Sequence, residues 1–324
     1  METILSGMQP TGHLHLGNYE GALKNWAALQ DSYEMYLCIV DWHALTAEFD
    51  KTNELKENVF QMAVDFIAGG LDPQKCAIFI QSDVKEHAEL HLLLSMITTV
   101  PTLTRLPTYL EKKEEAGLDS YGFLGYPVLQ AADILIYNAN KVPVGKDQVK
   151  HIWLANDLAK KFNNLYGPTF NEPEALLTKF PTIPGSDGKK MSKSLNNHIA
   201  LADSEEETAQ KLKRFFTDPE KLRKGDPGRP EICPVFLLHQ IYTPDHADIV
   251  GPCKSGELGC VDCKKRLTEN LNSALAPIRE KRKKLVEKPD FVFDVLKDGG
   301  QKARKRAAEA MDRVRRNMKM DYFK

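Results

Sequence analysis

The 324-residue sequence contains no run of 18 apolar residues and no basic segment leading into an apolar one. Neither a membrane span nor a secretory leader is therefore expected. Net charge is equally scarce, with 44 Lys/Arg against 45 Asp/Glu. Cysteine is rare: there are six, and Cys38 and Cys76 lie in apolar surroundings as small core residues. These shortages argue against a membrane protein and a disulfide-stapled secreted module. They leave a cytoplasmic enzyme as the expectation.

The near-neutral total conceals an asymmetry. Residues 264–324 carry 19 Lys/Arg against 9 Asp/Glu, and residues 1–263 carry 25 against 36. An acidic body with a basic tail suits a nucleic-acid partner, although a basic helix is also an ordinary solvated face. Apolar residues make up 42% of the chain, enough for one large core and a second, smaller unit.

What is present is organised around Lys189-Lys190-Met191-Ser192-Lys193-Ser194, introduced by Ile183-Pro184-Gly185-Ser186-Asp187-Gly188. Two lysines three apart, beside serines and behind Pro, Gly and Asp, describe a loop able to fold ammonium groups over a polyphosphate. At the other end, Thr3 to Gly7 reads as a strand entering the turn-rich Met8-Gln9-Pro10-Thr11-Gly12, and a helical pattern follows His15. Strand, glycine-rich loop and helix open a doubly wound unit, where phosphates are received at strand ends. Gly17 allows close backbone approach, and His15 and Asn18, three apart, share a helix face.

Met35 to Val40 and Cys76 to Ile80 read as buried strands, with helices over 53–69 and 87–97 between and after them. His43, just past a strand end, reads either as a site residue or as a hydrogen-bonded structural histidine. The stretch 98–122, with Pro101 and Pro107, reads as an insertion. Residues 125–137 form a helix in which Tyr126, Gln130 and Asp133 can point the same way. Asp133 interrupts an apolar stripe, so it must meet a protein donor or a ligand N–H or O–H. The strand around Val142 and Val144 ends in Gly145-Lys146-Asp147-Gln148, glycine for close approach and aspartate for ribose hydroxyls.

Together these pieces resemble the class I aminoacyl-tRNA synthetases. His15-Leu16-Gly17-Asn18 is similar to their "HIGH" signature and Lys190-Met191-Ser192-Lys193-Ser194 to "KMSKS". Ser6 to Gly12, Ala131-Ala132-Asp133-Ile134-Leu135 and Val142 to Gln148 resemble the bacterial tryptophan-specific branch, and the likeness covers nearly the whole chain. It implies activation of L-tryptophan with ATP and Mg2+, transfer to tRNA(Trp), and a homodimer. On this sequence, Asp133 would accept the indole N–H, and Leu5, Gly7, Val142 and Val144 would wall the ring, with His43 nearby. Tyr126, Gln130 and Gln148 would hold the ammonium end, with Gln9 near the carboxylate. Met8 and Pro10 would adjoin the nucleotide, while Gly17, Asn18, Gly145, Asp147 and Ile183 hold adenosine. Lys190, Lys193, Thr11, His15 and, more weakly, Lys146 would serve the phosphates in the Met191–Ser192–Ser194 loop. Gln130 and Leu5 depart from the methionine and phenylalanine of other members, which bears on pocket packing.

Three other readings compete. A tyrosine-specific relative would also use Asp133, but Leu5, Gly7, Val142 and Val144 offer a phenol no polar donor. A nucleotidyltransferase with another acceptor explains the lysine loop but not Asp133. A cysteine-rich nucleic-acid module explains only the tail.

Cys233, Cys253, Cys260 and Cys263 form a C-x19-C-x6-C-x2-C pattern. Clustered cysteines in a cytosolic chain suggest a metal site, with tetrahedral sulfur suiting zinc or an iron–sulfur cluster alike. Some tryptophan-specific family members carry a [4Fe-4S] cluster on this kind of pattern, so the resemblance favours iron–sulfur over Zn2+. A redox role would require reversible reduction, and no partner motif supports it. The expected fold is α/β. A Rossmann-like parallel-sheet catalytic domain spans 1–188, with a dimer-forming insertion near 98–135. A smaller all-helical anticodon-recognition domain spans 189–290, and a C-terminal helix over 291–324 returns to the catalytic domain.

Overall fold

The computed structural model describes residues 1–145, 149–177 and 182–323. The chain divides into two compact units: Met1–Gly12, Trp26–Thr178 and Lys288–Lys324 form the first, and His13–Asn25 with Lys179–Glu287 the second.

The first unit is built on five parallel strands, β1 (Thr3–Met8), β2 (Glu34–Ile39), β3 (Cys76–Ile80), β4 (Lys141–Val144) and β5 (Glu174–Leu177). Their order is β3-β2-β1-β4-β5, so the direction of winding reverses between β1 and β4. That is where a doubly wound sheet opens a crevice at its carboxyl ends. Continuous apolar runs such as Met35–Ile39 suit strands covered on both faces. Along the pleat, Leu5, Tyr36, Cys38, Ala77, Phe79 and Val142 join one core cluster, with Ala131, Ala132 and Ile134 from the Tyr121–Ile136 helix. This is the Rossmann-like architecture expected.

The insertion is helical. Val100–Thr104 and Pro107–Ala116 each carry proline in the first turn, where its missing N–H costs nothing.

The C-terminal helix runs from Pro289 to Asn317, through Gly299 and Gly300, starting two residues earlier and ending seven earlier than the expected 291–324. It packs against β3. A Cβ on Gly299 would stand 1.9 Å from the Ile78 carbonyl oxygen, so glycine here sets the distance between helix and strand. Gly299→Ala should therefore lower stability by about 1–3 kcal/mol through overpacking, although alanine is the better helix former by ~1 kcal/mol. Denaturant unfolding measures it, and a stabilised variant would contradict this packing.

The second unit is mostly helical, with helices Glu205–Lys213, Pro234–Tyr242, Ala247–Ser255 and Cys260–Val286. Ser204 and Glu207 form a reciprocal capping box at the first of these. Leu212, Leu238, Leu267, Leu271 and Leu275 are buried in this unit. Of the basic segment 279–284, Arg282 is buried and Arg279 donates to the Thr208 hydroxyl at 2.7 Å. No helix among the described residues is long and apolar enough to cross a membrane.

Candidate active site

In the first unit, Asp133 is 3% exposed and faces three protein donor groups. His87 Nδ1 lies 2.6 Å from Oδ1, His43 Nε2 lies 3.0 Å from Oδ2, and the Gln81 amide is 2.8 Å from both oxygens. Burial raises the Asp133 pKa, but the charge of His87 and the hydrogen bonds of His43 and His87 more than offset it, holding it at about 2. The group is an anion at any working pH. These three groups make four hydrogen bonds on a carboxylate with about four acceptor positions, so a ligand N–H must take the place of one of the two from Gln81.

The supporting chain is local. His43 rides the short helix Asp41–Leu45 that follows β2, and Gln81 opens the turn after β3. Asp41 Oδ1 ties these two strand ends together by accepting from Ser82 N at 3.0 Å. His87 passes the network on to the Tyr137 hydroxyl at 2.7 Å. Gln81 and His87 were not singled out in the sequence. Their signal is weak: two polar residues just beyond an apolar strand, legible only once Asp133 is seen to need donors.

On β1 and β4, Leu5 and Val142 are buried, Val144 is partly exposed and Gly7 is exposed, and Gly145 just after β4 is partly exposed. Tyr126 stands edge-on to His43, ring centroids 6.4 Å apart, and Gln130 follows one turn later on the same helix, half-buried. Met8 ends β1, and Thr11 N donates to Gln9 O in the turn containing Pro10. Lys146, Asp147 and Gln148 lie outside the described residues.

The second unit brings both signatures together. Leu16 N donates to Ile199 O and Leu201 N to Leu14 O, so the His15 segment pairs with the chain leaving the lysine loop. His15 caps the following turn: its Nδ1 accepts from Asn18 N at 3.3 Å, while Asn18 Oδ1 accepts from His15 N at 3.1 Å. The chain then continues through a π-helical turn, Tyr19–Leu23, a form frequent at functional sites. A Cβ on Gly17 would stand 2.9 Å from the His15 ring, so any side chain there would displace the imidazole. Burial, then the ammonium of Lys193, His198 and Lys190, lower the His15 pKa to about 3. The imidazole is neutral, and both lysines act in its immediate field.

The loop itself is clamped. Gly185 N donates to Lys189 O and Met191 N to Ile183 O, with Ile183 and Met191 buried. Ser192 and Ser194 hydroxyls meet at 2.8 Å. Asn197, buried and unmarked in the sequence reading, accepts from Ser192 N at 2.7 Å and donates to Asp187 and the Lys190 carbonyl. Lys190 is left exposed and Lys193 half-buried on a braced turn.

The expected metal centre is a correction. Cys233, Cys253, Cys260 and Cys263 line one small cavity, and none forms a disulfide. Yet among the described residues no group of three or more His, Cys, Asp or Glu is arranged to hold a metal ion. Neither the [4Fe-4S] cluster nor Zn2+ is supported. Cys263 Sγ instead contacts His239 Nε2 at 3.3 Å, and burial with three neighbouring thiols pushes its pKa up to about 12. Spacing brought the cysteines to one cavity without making them a ligand set.

A doubly wound parallel sheet with a buried carboxylate at its strand ends, together with a neutral histidine in the field of two loop lysines, defines a nucleotide-dependent synthetase of class I type. The family "tRNA synthetases class I (W and Y)" matches residues 2–276. The chain is 50% identical to the tryptophan–tRNA ligase of Thermotoga maritima, covering 98% of this chain and 99% of that one. It is 42% identical to the Aquifex aeolicus ligase, with 98% and 99% covered. The crystal structure of tryptophanyl-tRNA synthetase from Campylobacter jejuni complexed with ADP and tryptophan superposes with a TM-score of 0.89 at 36% identity, covering 98% and 99%. The chain belongs to the class I tRNA synthetases of the tryptophan and tyrosine family.

Proposed function

We infer that the chain joins tryptophan to tRNA(Trp). It activates L-tryptophan with ATP, releasing pyrophosphate, and then transfers the aminoacyl group to the tRNA. The observation that carries this is end-to-end identity with curated tryptophan–tRNA ligases.

The residue roles are our proposal. The tryptophan carboxylate attacks the α-phosphorus of ATP in line; it is already ionised, so no general base is required. Magnesium enters with the nucleotide, as part of the substrate. What the protein supplies is position and charge. Asp133, oriented by His43, His87 and Gln81, takes the indole N–H in place of one of its two hydrogen bonds from Gln81. Leu5, Gly7, Val142 and Val144 enclose the ring and present a tyrosine hydroxyl with no donor. Tyr126 and Gln130, with Gln148, take the ammonium end, and Gln9 the carboxylate end. Gly17, Asn18, Gly145, Asp147 and Ile183 receive adenosine. Met8, Pro10 and Thr11 border the nucleotide. Lys193 and Lys190, with Lys146 as a third cation, follow the transferring phosphoryl charge, and neutral His15 donates or accepts without adding repulsion. Charging of a tRNA(Trp) transcript tests the overall reaction: tryptophan should be esterified, and charging with tyrosine alone would overturn the specificity.

We also propose a homodimer in the cytoplasm. Leu92, Met96, Val100 and Tyr121, on the 86–95 helix and the insertion after it, are each more than half exposed, which suits a covered apolar face. Sedimentation should give twice the 36.6 kDa chain mass; a monomer at micromolar concentration would contradict it. Recovery of the ligase activity in a membrane pellet would contradict the location.

A further inference from the structure

A second cavity, of about 390 Å³, opens in the first unit at the amino-terminal ends of β2 and β3. It is the end of the sheet opposite the strand ends that carry His43 and Gln81. Its floor is Met35, Tyr36, Cys76 and Ala77. One wall is the C-terminal helix, which places Lys302, Lys305 and Arg306 at i, i+3 and i+4, a single helix face. Lys75 stands opposite, paired with Asp31 at 2.7 Å.

Two carboxylates also line the cavity, Glu34 and Glu309. Glu34 is supplied by the Tyr36 hydroxyl at 3.0 Å and the Thr3 hydroxyl at 3.3 Å. Glu309 is three and four residues beyond Arg306 and Lys305, yet no ion pair joins it to either. Arg306 Nε is buried without an acceptor. That nitrogen has no surface toward the cavity, so an entering oxyanion would be met by the rest of the cationic face, three charges on one side of the helix. The volume falls within the range of small-molecule sites and exceeds what a bare anion fills.

We propose that this cavity binds a small phosphate ester, the phosphate held by Lys302, Lys305 and Arg306 and the organic part lying over Met35, Tyr36 and Ala77. Nothing in the activation or transfer chemistry uses these residues. The site would therefore take an effector rather than a substrate.

Calorimetric titration of the full-length protein with uridine 5′-monophosphate, and separately with inorganic phosphate, tests it. The nucleotide should bind, more tightly than phosphate. The double variant Lys302→Gln/Arg306→Gln should lose roughly tenfold or more in that affinity, given the worth of one charge-assisted hydrogen bond. Its pyrophosphate exchange rate and melting temperature should be unchanged, which separates loss of the site from loss of the fold. Absence of nucleotide binding, or binding undiminished in the folded variant, would overturn the proposal. Equal affinity for the two probes would overturn it too, leaving an ion site with no place for an organic group.

Discussion

Replacing Lys193 by alanine should lower the rate of tryptophan activation by about 10²–10³-fold, the usual effect of deleting one preorganised charge from a transition state. The Michaelis constant for tryptophan should scarcely move. The reason lies in where the charge sits. Lys193 is half-buried on a turn whose backbone is fixed by Asn197 and by the Ile183–Met191 pairing. Its ammonium helps to suppress protonation of His15, so both belong to one electrostatic neighbourhood. Under the proposed roles, a charge held there serves the phosphates and not the indole. Pyrophosphate exchange over a range of tryptophan concentrations separates the two effects. An equal fall in rate and in amino-acid affinity would contradict the assignment.

Asp133→Asn should act on both stability and specificity. The carboxylate accepts from His43, His87 and Gln81, all in the buried interior. An amide must turn its own N–H groups toward at least one of these donors. Breaking a buried charged network in this way costs about 3–5 kcal/mol. The variant should melt at a lower temperature and should bind tryptophan weakly even where it is folded. A variant that melts early yet activates tryptophan at the native rate would make Asp133 a structural anchor alone.

Much of this was legible in the residues. Cys76–Ile80, Met35–Ile39 and the helix bearing Asp133 are long apolar segments whose period decides their form, and they stand where periodicity puts them. The two signatures were legible because their chemistry needs lysine, histidine and glycine at short spacings. Features created by tertiary partners were not. Nothing in the sequence marks why Gly299 stands inside a helix; the reason is its close approach to Ile78, which only the packing shows. Pro101 and Pro107 marked an insertion without giving its form, and the structure shows them beginning helices. Gln81, His87 and Asn197 lack any local pattern, since each is defined by a donor or acceptor distant in sequence or across a turn. The cysteines show the opposite error. Their spacing allowed a tetrahedral site, but coordination requires sulfurs converging on one point, and spacing carries no such information.

The proposed specificity rests on Asp133, held by His43, His87 and Gln81, and on Leu5, Gly7, Val142 and Val144 as the ring's apolar surroundings. ATP–pyrophosphate exchange with each of the twenty amino acids in turn tests it most directly. Exchange should depend on tryptophan alone. Exchange supported by tyrosine instead would keep the reaction and contradict the walls formed by Leu5, Gly7, Val142 and Val144, and exchange with no amino acid would contradict the activation chemistry itself.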